Sequence, residues 1–169
     1  MKCLNTNRII ALGSDRRGFL YKQKLIDFLQ KKGYETLDVG PYDENIPYDY
    51  PIYGEKVGKA VAKGDALFGV VICGTGIGIS IAANKVKGVR CGMAYDDEVA
   101  AWMRKHNDAN VVAFGQDYMR YEDVERRLEI FLNTAYLGDY HVSRIQQIAD
   151  IEQEKEIKQS PVLNKDRNK

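Results

Sequence analysis

The stretch Val70-Val71-Ile72-Cys73-Gly74-Thr75-Gly76-Ile77-Gly78-Ile79-Ser80-Ile81-Ala82-Ala83-Asn84 constrains this chain more than any other. The apolar run at 67–72 shows no alternation, which is the pattern of a central parallel strand covered on both faces. Cys73 stands at the carboxyl end of that strand. Gly74, Gly76 and Gly78 strip alternate positions of side chains, and 77–86 resumes with helical apolar spacing. A strand, a glycine turn and a helix in that order aim a helix N-terminus at a cavity. Such a turn offers unpaired N–H groups and the positive end of a helix dipole to a phosphate or to the oxyanion of a reaction intermediate. It also favours the thiolate of a cysteine beside it, which then takes a proton or attacks carbon. The bland alternative is a buried structural cysteine in a tight turn.

The rest of the chain alternates strands with helices around this stretch. Residues 8–13 read as a first strand, 19–32 as an amphipathic helix with Leu25, Phe28 and Leu29 on one face and Gly33 in the C-cap position, and 34–39 as a second strand. Pro41, Pro47 and Pro51 with several tyrosines and acids make 40–51 a long loop. A helix at 52–63 ending at Gly64 leads into the central strand. Beyond the glycine turn come a strand at 89–94, a helix at 96–105, a strand at 111–114, a helix at 121–136 stopped by Gly138 and a last helix at 141–158. This pattern predicts an α/β fold, a doubly wound five-stranded parallel sheet in one domain spanning 1–158. A polar, disordered tail is expected at 159–169. Val142, Ile145, Ile148, Ala149 and Ile151 give the last helix enough apolar positions for a partner surface.

Composition narrows the partners. With 25 Lys and Arg against 24 Asp and Glu, the formal charge of +1 points away from nucleic acid. Cys3, Cys73 and Cys91 are odd in number and lack metal-ligand spacing, and no secretory leader precedes them, so free thiols in a reducing, cytoplasmic compartment are expected. No apolar run approaches the roughly 20 residues of a membrane-spanning helix, so no membrane association is expected. The chain lacks HExxH, CxxC and an acidic cluster, and no metal is expected. A dinucleotide site fits poorly, because the glycines run G-x-G-x-G after the third strand, although Asp96 lies about twenty residues on, where a ribose-binding acid is wanted.

Other residues admit two readings each. His106, in the polar run Arg104-Lys105-His106-Asn107-Asp108, is either a surface histidine or a general acid or base. His141 opens the last helix, where a first-turn or capping place is the simpler account. Asp15, Arg16 and Arg17 at the end of the first strand are either a catalytic acid with phosphate-binding cations or a helix entrance with Asp15 as N-cap. Arg144 either holds a phosphate or pairs with an acid such as Asp150 or Glu152.

Together, Gly13-Ser14-Asp15, Asp49-Tyr50-Pro51, the block from Ile72 to Lys85, Gly88-Val89-Arg90, His106-Asn107-Asp108-Ala109-Asn110 and Gly115 resemble the type B ribose-5-phosphate isomerases, a family that includes the subunits of galactose-6-phosphate isomerase. The likeness runs in order over about residues 8–152. It implies a cofactor-free, metal-free aldose–ketose isomerase of a sugar phosphate with a Rossmann-like fold, acting as a homodimer or a dimer of dimers. By the same resemblance Cys73 is the base that moves a proton between C2 and C1 through a cis-enediolate, and Thr75 supports it. The backbone of Gly74, Gly76, Ile77 and Gly78 holds the enediolate oxygens. His106 opens the sugar ring with Asp15 nearby, Asn107 contacts the sugar, and Arg144 binds phosphate from a neighbouring subunit. Two positions depart from the family's pattern. Arg16 stands where histidine is usual, and Tyr140, beside His141, stands where arginine is usual. Arg16 is then expected to restore the charge that Tyr140 lacks, for ribose 5-phosphate. The alternatives are a pocket for allose 6-phosphate, galactose 6-phosphate or erythrose 4-phosphate, or a non-catalytic sugar-phosphate binder.

Overall fold

The computed structural model describes residues 8–160; Cys3 and the tail beyond Ser160 lie outside the described residues. The strands are β1 (Ile9–Ser14), β2 (Glu35–Asp38), β3 (Phe68–Cys73), β4 (Cys91–Met93) and β5 (Val111–Gly115). They form one parallel sheet in the order β2-β1-β3-β5-β4. The helices are α1 (Phe19–Lys31), α2 (Tyr50–Lys63), α3 (Ile77–Asn84), α4 (Asp97–Lys105), α5 (Tyr121–Asn133) and α6 (His141–Glu152).

Strand alternation sends the apolar run of β3 to both faces. Val70 and Ile72 join Ile10, Leu12, Val112 and Phe114 against Leu25 and Leu29 of α1, Met103 of α4, and Leu128 and Phe131 of α5. Val71 and Cys73 join Ala11, Val111 and Ala113 against Val57 and Val61 of α2 and Ile79 and Ala83 of α3. Burying each large aliphatic side chain in these layers contributes roughly 1.5–3 kcal/mol, which is why the strand carries no polar face. Two glycines of α2 let it lie close on α3. A Cβ on Gly54 would sit 2.8 Å from the Ile79 carbonyl oxygen, and one on Gly58 would sit 3.0 Å from the Val86 side chain.

Strand order decides where a ligand goes. From β1 the chain runs outward to β2, then crosses back to β3 on the other side of β1. A crevice opens at the carboxyl ends of the strands where the winding reverses. Asp15, just after β1, and Cys73, the last residue of β3, flank that crevice.

The last helix is shorter than expected. It ends at Glu152 instead of 158, closed by Gln153 N–H and Lys155 N–H donating to the Asp150 carbonyl and by Glu154 at φ 58°. Between Ile151 and Ile157 the chain is entirely polar, so further turns would bury nothing to offset their ordering. At the other margin α2 starts at Tyr50, two residues earlier than expected, with Pro51 in its first turn, where a missing N–H costs nothing.

Candidate active site

The sharp turn after β3 is fixed by close backbone approach. Gly76 adopts φ 82°, and a Cβ there would lie 2.9 Å from the Phe114 carbonyl carbon. Gly76 N–H donates to Cys73 Sγ at 3.1 Å, and Ile77 N–H donates to Thr75 Oγ1 at 3.2 Å. Thr75 therefore caps the first turn of α3, while the thiol, 4% exposed, sits under its N-terminus. Gly78 and Ile79 follow in that first turn, where N–H groups have no intrahelical acceptor. Their dipoles favour negative charge.

Cys73, Gly74, Thr75 and Gly78 line a cavity of about 240 Å³ with Asp15, Arg17, Tyr50, Asp117 and Tyr118. The Tyr50 ring stands over the first turn of α3, since a Cβ on Gly78 would come within 2.8 Å of it. Asp15 Oδ1 accepts from Gly18 N–H at 2.9 Å, which closes the turn that starts α1. Burial pushes the Asp15 carboxyl up from its ordinary value, and the Asp117 carboxylate adds to this. The Gly18 and Arg17 backbone N–H groups and the Arg17 charge oppose it.

A stability consequence follows from Asp15. The folded state holds this proton more tightly than the unfolded chain does, so the favourable contribution is complete below the unfolded value near 4 and is lost as pH rises through the folded value. Asp15→Asn keeps an oxygen for Gly18 N–H and removes the half-buried charge. The variant is expected to unfold at higher urea than the parent at pH 7 and at the same urea at pH 3. Identical midpoints for variant and parent at both pH values would show that the half-buried carboxylate carries no cost.

Arg16, expected at the substrate phosphate, is exposed and does not line the cavity; Arg17 does. The turn at 15–18 hands the place to Arg17, whose Nη2 meets Asp117 Oδ2 at 2.5 Å. Arg17 was one of the two cations the sequence offered beside Asp15, whereas Tyr50, Asp117 and Tyr118 went unassigned, although Tyr50 lies within Asp49-Tyr50-Pro51.

The remaining expected site residues sit elsewhere in the chain. His106 and Asn107 follow α4 and precede β5, at the amino end of the sheet, whereas Cys73 pairs with Gly115 at the carboxyl end. The length of β5 separates them by about 13 Å along the strand direction. Leu137 N–H donates to the Lys105 carbonyl, and this brings the start of α6 onto the end of α4. There the His106 ring stacks on His141 at 4.1 Å, Trp102 lies 4.2 Å from His106, Tyr140 lies 4.1 Å from His141, and the Arg144 guanidinium lies 4.8 Å over Tyr140. His141, offered by the sequence as a first-turn residue and, by the resemblance, as a substrate contact, is the first residue of α6 and is buried in this ladder. Asp108 holds the loop beneath it. Its carboxylate accepts from Arg104 at 2.7 Å and from Arg90 at 3.0 Å, and its φ is 44°. Asn110 ties the same loop to Arg90 N–H at 2.8 Å and to the Gly88 carbonyl at 2.8 Å.

Two other candidates resolve simply. Asp96 Oδ1 accepts from Glu98 N–H at 2.8 Å and is the N-cap of α4, so it is occupied where a ribose-binding acid was considered. Glu152 receives Gly88 N–H, and Asp150 meets Lys155, so neither acid holds Arg144. Among the described residues no group of three or more His, Cys, Asp or Glu side chains gathers as a metal site, and no helix is long and apolar enough to cross a membrane.

Residues 10–148 match the family described as Ribose/Galactose Isomerase. Ribose-5-phosphate isomerase B of Escherichia coli (strain K12) is 40% identical over 144 residues, covering 85% of this chain and 96% of that protein. The galactose-6-phosphate isomerase subunit LacB of Clostridium acetobutylicum is 37% identical over 128 residues, covering 76% of this chain and 73% of that protein. The solved structure of Clostridium thermocellum ribose-5-phosphate isomerase B is 40% identical with a TM-score of 0.85, covering 86% of this chain and 98% of that one. A Rossmann-like parallel sheet with this likeness defines an aldose–ketose isomerase of a sugar phosphate. The chain belongs to the ribose/galactose isomerase family.

Proposed function

We propose that this protein interconverts ribose 5-phosphate and ribulose 5-phosphate through a cis-enediolate, with Cys73 as the base. The observation that carries the reading is Cys73 Sγ beneath the N-terminus of α3, 3.1 Å from Gly76 N–H, in a cavity at the winding reversal of the sheet. The thiolate takes the C2 proton of the open-chain aldose, and the electron pair moves to O1. First-turn N–H groups of α3 meet the charge as it develops, which is where preorganised donors act most strongly. The thiol returns a proton to C1 while the O2 proton passes to O1. No electron leaves the sugar.

One chain supplies half of this site. The cavity brings two carboxylates, Asp15 and Asp117, against one arginine, Arg17, which is a poor balance for a phosphate and an enediolate together. His106, His141 and Arg144 form a compact basic and aromatic face at the opposite end of the sheet. In our reading a second copy presents that face to the cavity, so that its His106 opens the sugar ring beside Asp15, its Asn107 contacts the sugar and its Arg144 meets the phosphate. Val142, Ile148 and Ile151 leave α6 with exposed apolar surface for such a contact, and a homodimer or a dimer of dimers follows. The free thiols Cys73 and Cys91 fit a cytoplasmic site of action.

A coupled assay tests the substrate. Among ribose 5-phosphate, allose 6-phosphate, galactose 6-phosphate and erythrose 4-phosphate, ribose 5-phosphate is expected to show the highest kcat/KM. If another sugar leads, Tyr140 marks a changed distal pocket and the assignment falls.

A further inference from the structure

The pair formed by Arg17 and Asp117 spans the mouth of the cavity from two different loops. Arg17 follows β1 and Asp117 follows β5, so the pair crosses the carboxyl end of β3 that lies between them. It rests directly on Gly74. A Cβ at that position would lie 2.6 Å from Asp117 Oδ2 and 3.0 Å from Arg17 Nε, so the pair as it stands lies against bare backbone beside the thiol.

The two partners differ in how they are held. Asp117 N–H donates to the Gly74 carbonyl at 3.0 Å, and Gln116 N–H donates to the Cys73 carbonyl at 3.0 Å. Gln116 Oε1 in turn accepts from Tyr21 N–H at 2.9 Å. The backbone that carries Asp117 is thus pinned to the end of the strand that carries Cys73. The Arg17 side chain is 69% exposed and hangs over the opening. Among the described residues lining the cavity, Arg17 is the one cation.

Building on the sugar-phosphate isomerase reading above, we propose that Arg17 binds the substrate's phosphate in this chain's own half of the site, and that Asp117 is a built-in competitor that parks Arg17 across Gly74 until the phosphate displaces it. An ion pair this exposed contributes little to stability, because water screens it and competes for both ends. A phosphate offers the same guanidinium two parallel charge-assisted hydrogen bonds. The exchange therefore runs toward substrate, and the strength of the parked pair sets how much phosphosugar is needed to fill the site. Asp117, 28% exposed, is left in contact with water when Arg17 departs.

Calorimetric titration of inorganic phosphate into the full-length parent, Arg17→Gln, Asp117→Asn and the double variant reads the pair without any need for turnover. KM for the best-turned-over sugar phosphate is measured alongside. Arg17→Gln is expected to weaken phosphate binding roughly tenfold, and Asp117→Asn to tighten it several-fold with a matching fall in KM. In the double variant the gain from Asp117→Asn disappears, because Asp117 acts through Arg17. Unchanged phosphate affinity in Arg17→Gln overturns the proposal. So does a gain from Asp117→Asn that survives in the double variant, since that would reflect bulk charge alone. Ribose 5-phosphate turnover by the parent with a flat phosphate series would sink the pair and leave the isomerase assignment standing; the reverse pattern would sink the ribose assignment alone.

Discussion

Replacing Cys73 with alanine is expected to lower kcat for ribose 5-phosphate by about 10³-fold and to stop exchange of the C2 hydrogen with solvent. A positioned general base contributes roughly 10²–10⁴-fold, and the N–H groups that would stabilise the enediolate have nothing to act on once the proton stays in place. The fold is expected to survive. Cys73 lies in the layer between β3, α2 and α3, and its loss leaves Gly76 N–H without its sulfur acceptor, a cost of about 1–2 kcal/mol. Cys73→Ser separates the two effects, because its oxygen can still accept from Gly76 N–H while being a far weaker base. Loss of exchange in both variants with near-parental urea midpoints in the serine variant is the expected pair of results. Full turnover in either variant would remove Cys73 from the chemistry.

Lys22→Met is expected to cost the fold roughly 3 kcal/mol, read from urea midpoints at pH 7. The lysine is fully buried, a rare state for an ammonium, and it is held by Asp38 Oδ1 at 2.6 Å and the Pro41 carbonyl at 2.7 Å. Burial pushes the pKa of its ammonium down, and the hydrogen bond and charge of Asp38 push it back. Methionine fills the same space but leaves the carboxylate and the carbonyl unanswered. The Asp38 side chain is 25% exposed, so water recovers part of that loss and the lower end of the usual range applies. Asp38 Oδ1 also accepts from Gly40 N–H at 2.9 Å, so the same cluster starts the loop that ends at Tyr50 over Gly78. A variant within about 0.5 kcal/mol of the parent would mean that this cluster does not hold the loop.

What could be read in the chain, and what could not, divides by physical range. The glycine turn and the alternation of strands with helices were legible because both follow from local periodicity and from the conformations glycine allows. The insertion of β5 between β3 and β4 was not, since strand order depends on packing between distant segments. Choosing Arg17 over Arg16 depended on the shape of the turn at 15–18 and on Asp117, some hundred residues away in sequence. Lys22 showed nothing in the sequence to set it apart from the solvated lysines of α1. The His-Asn-Asp-Ala-Asn block was visible as a motif, yet Asp108 and Asn110 within it brace the loop through Arg90, Arg104 and Gly88. Helical spacing near Ile157 overextended α6 because periodicity records a face without recording whether anything lies opposite it.

The distance between the thiol turn and the histidine ladder has an evolutionary side. Within one chain the length of β5 lies between the ladder of Tyr140, His141 and Arg144 and the turn that holds Cys73, so substitutions in the ladder leave that turn's own contacts in place. Relatives named for a five-carbon and a six-carbon sugar phosphate share this family. In the two-copy reading proposed above, Tyr140 would alter contacts at the sugar's far end while the turn after β3 keeps its hydrogen bond to Cys73.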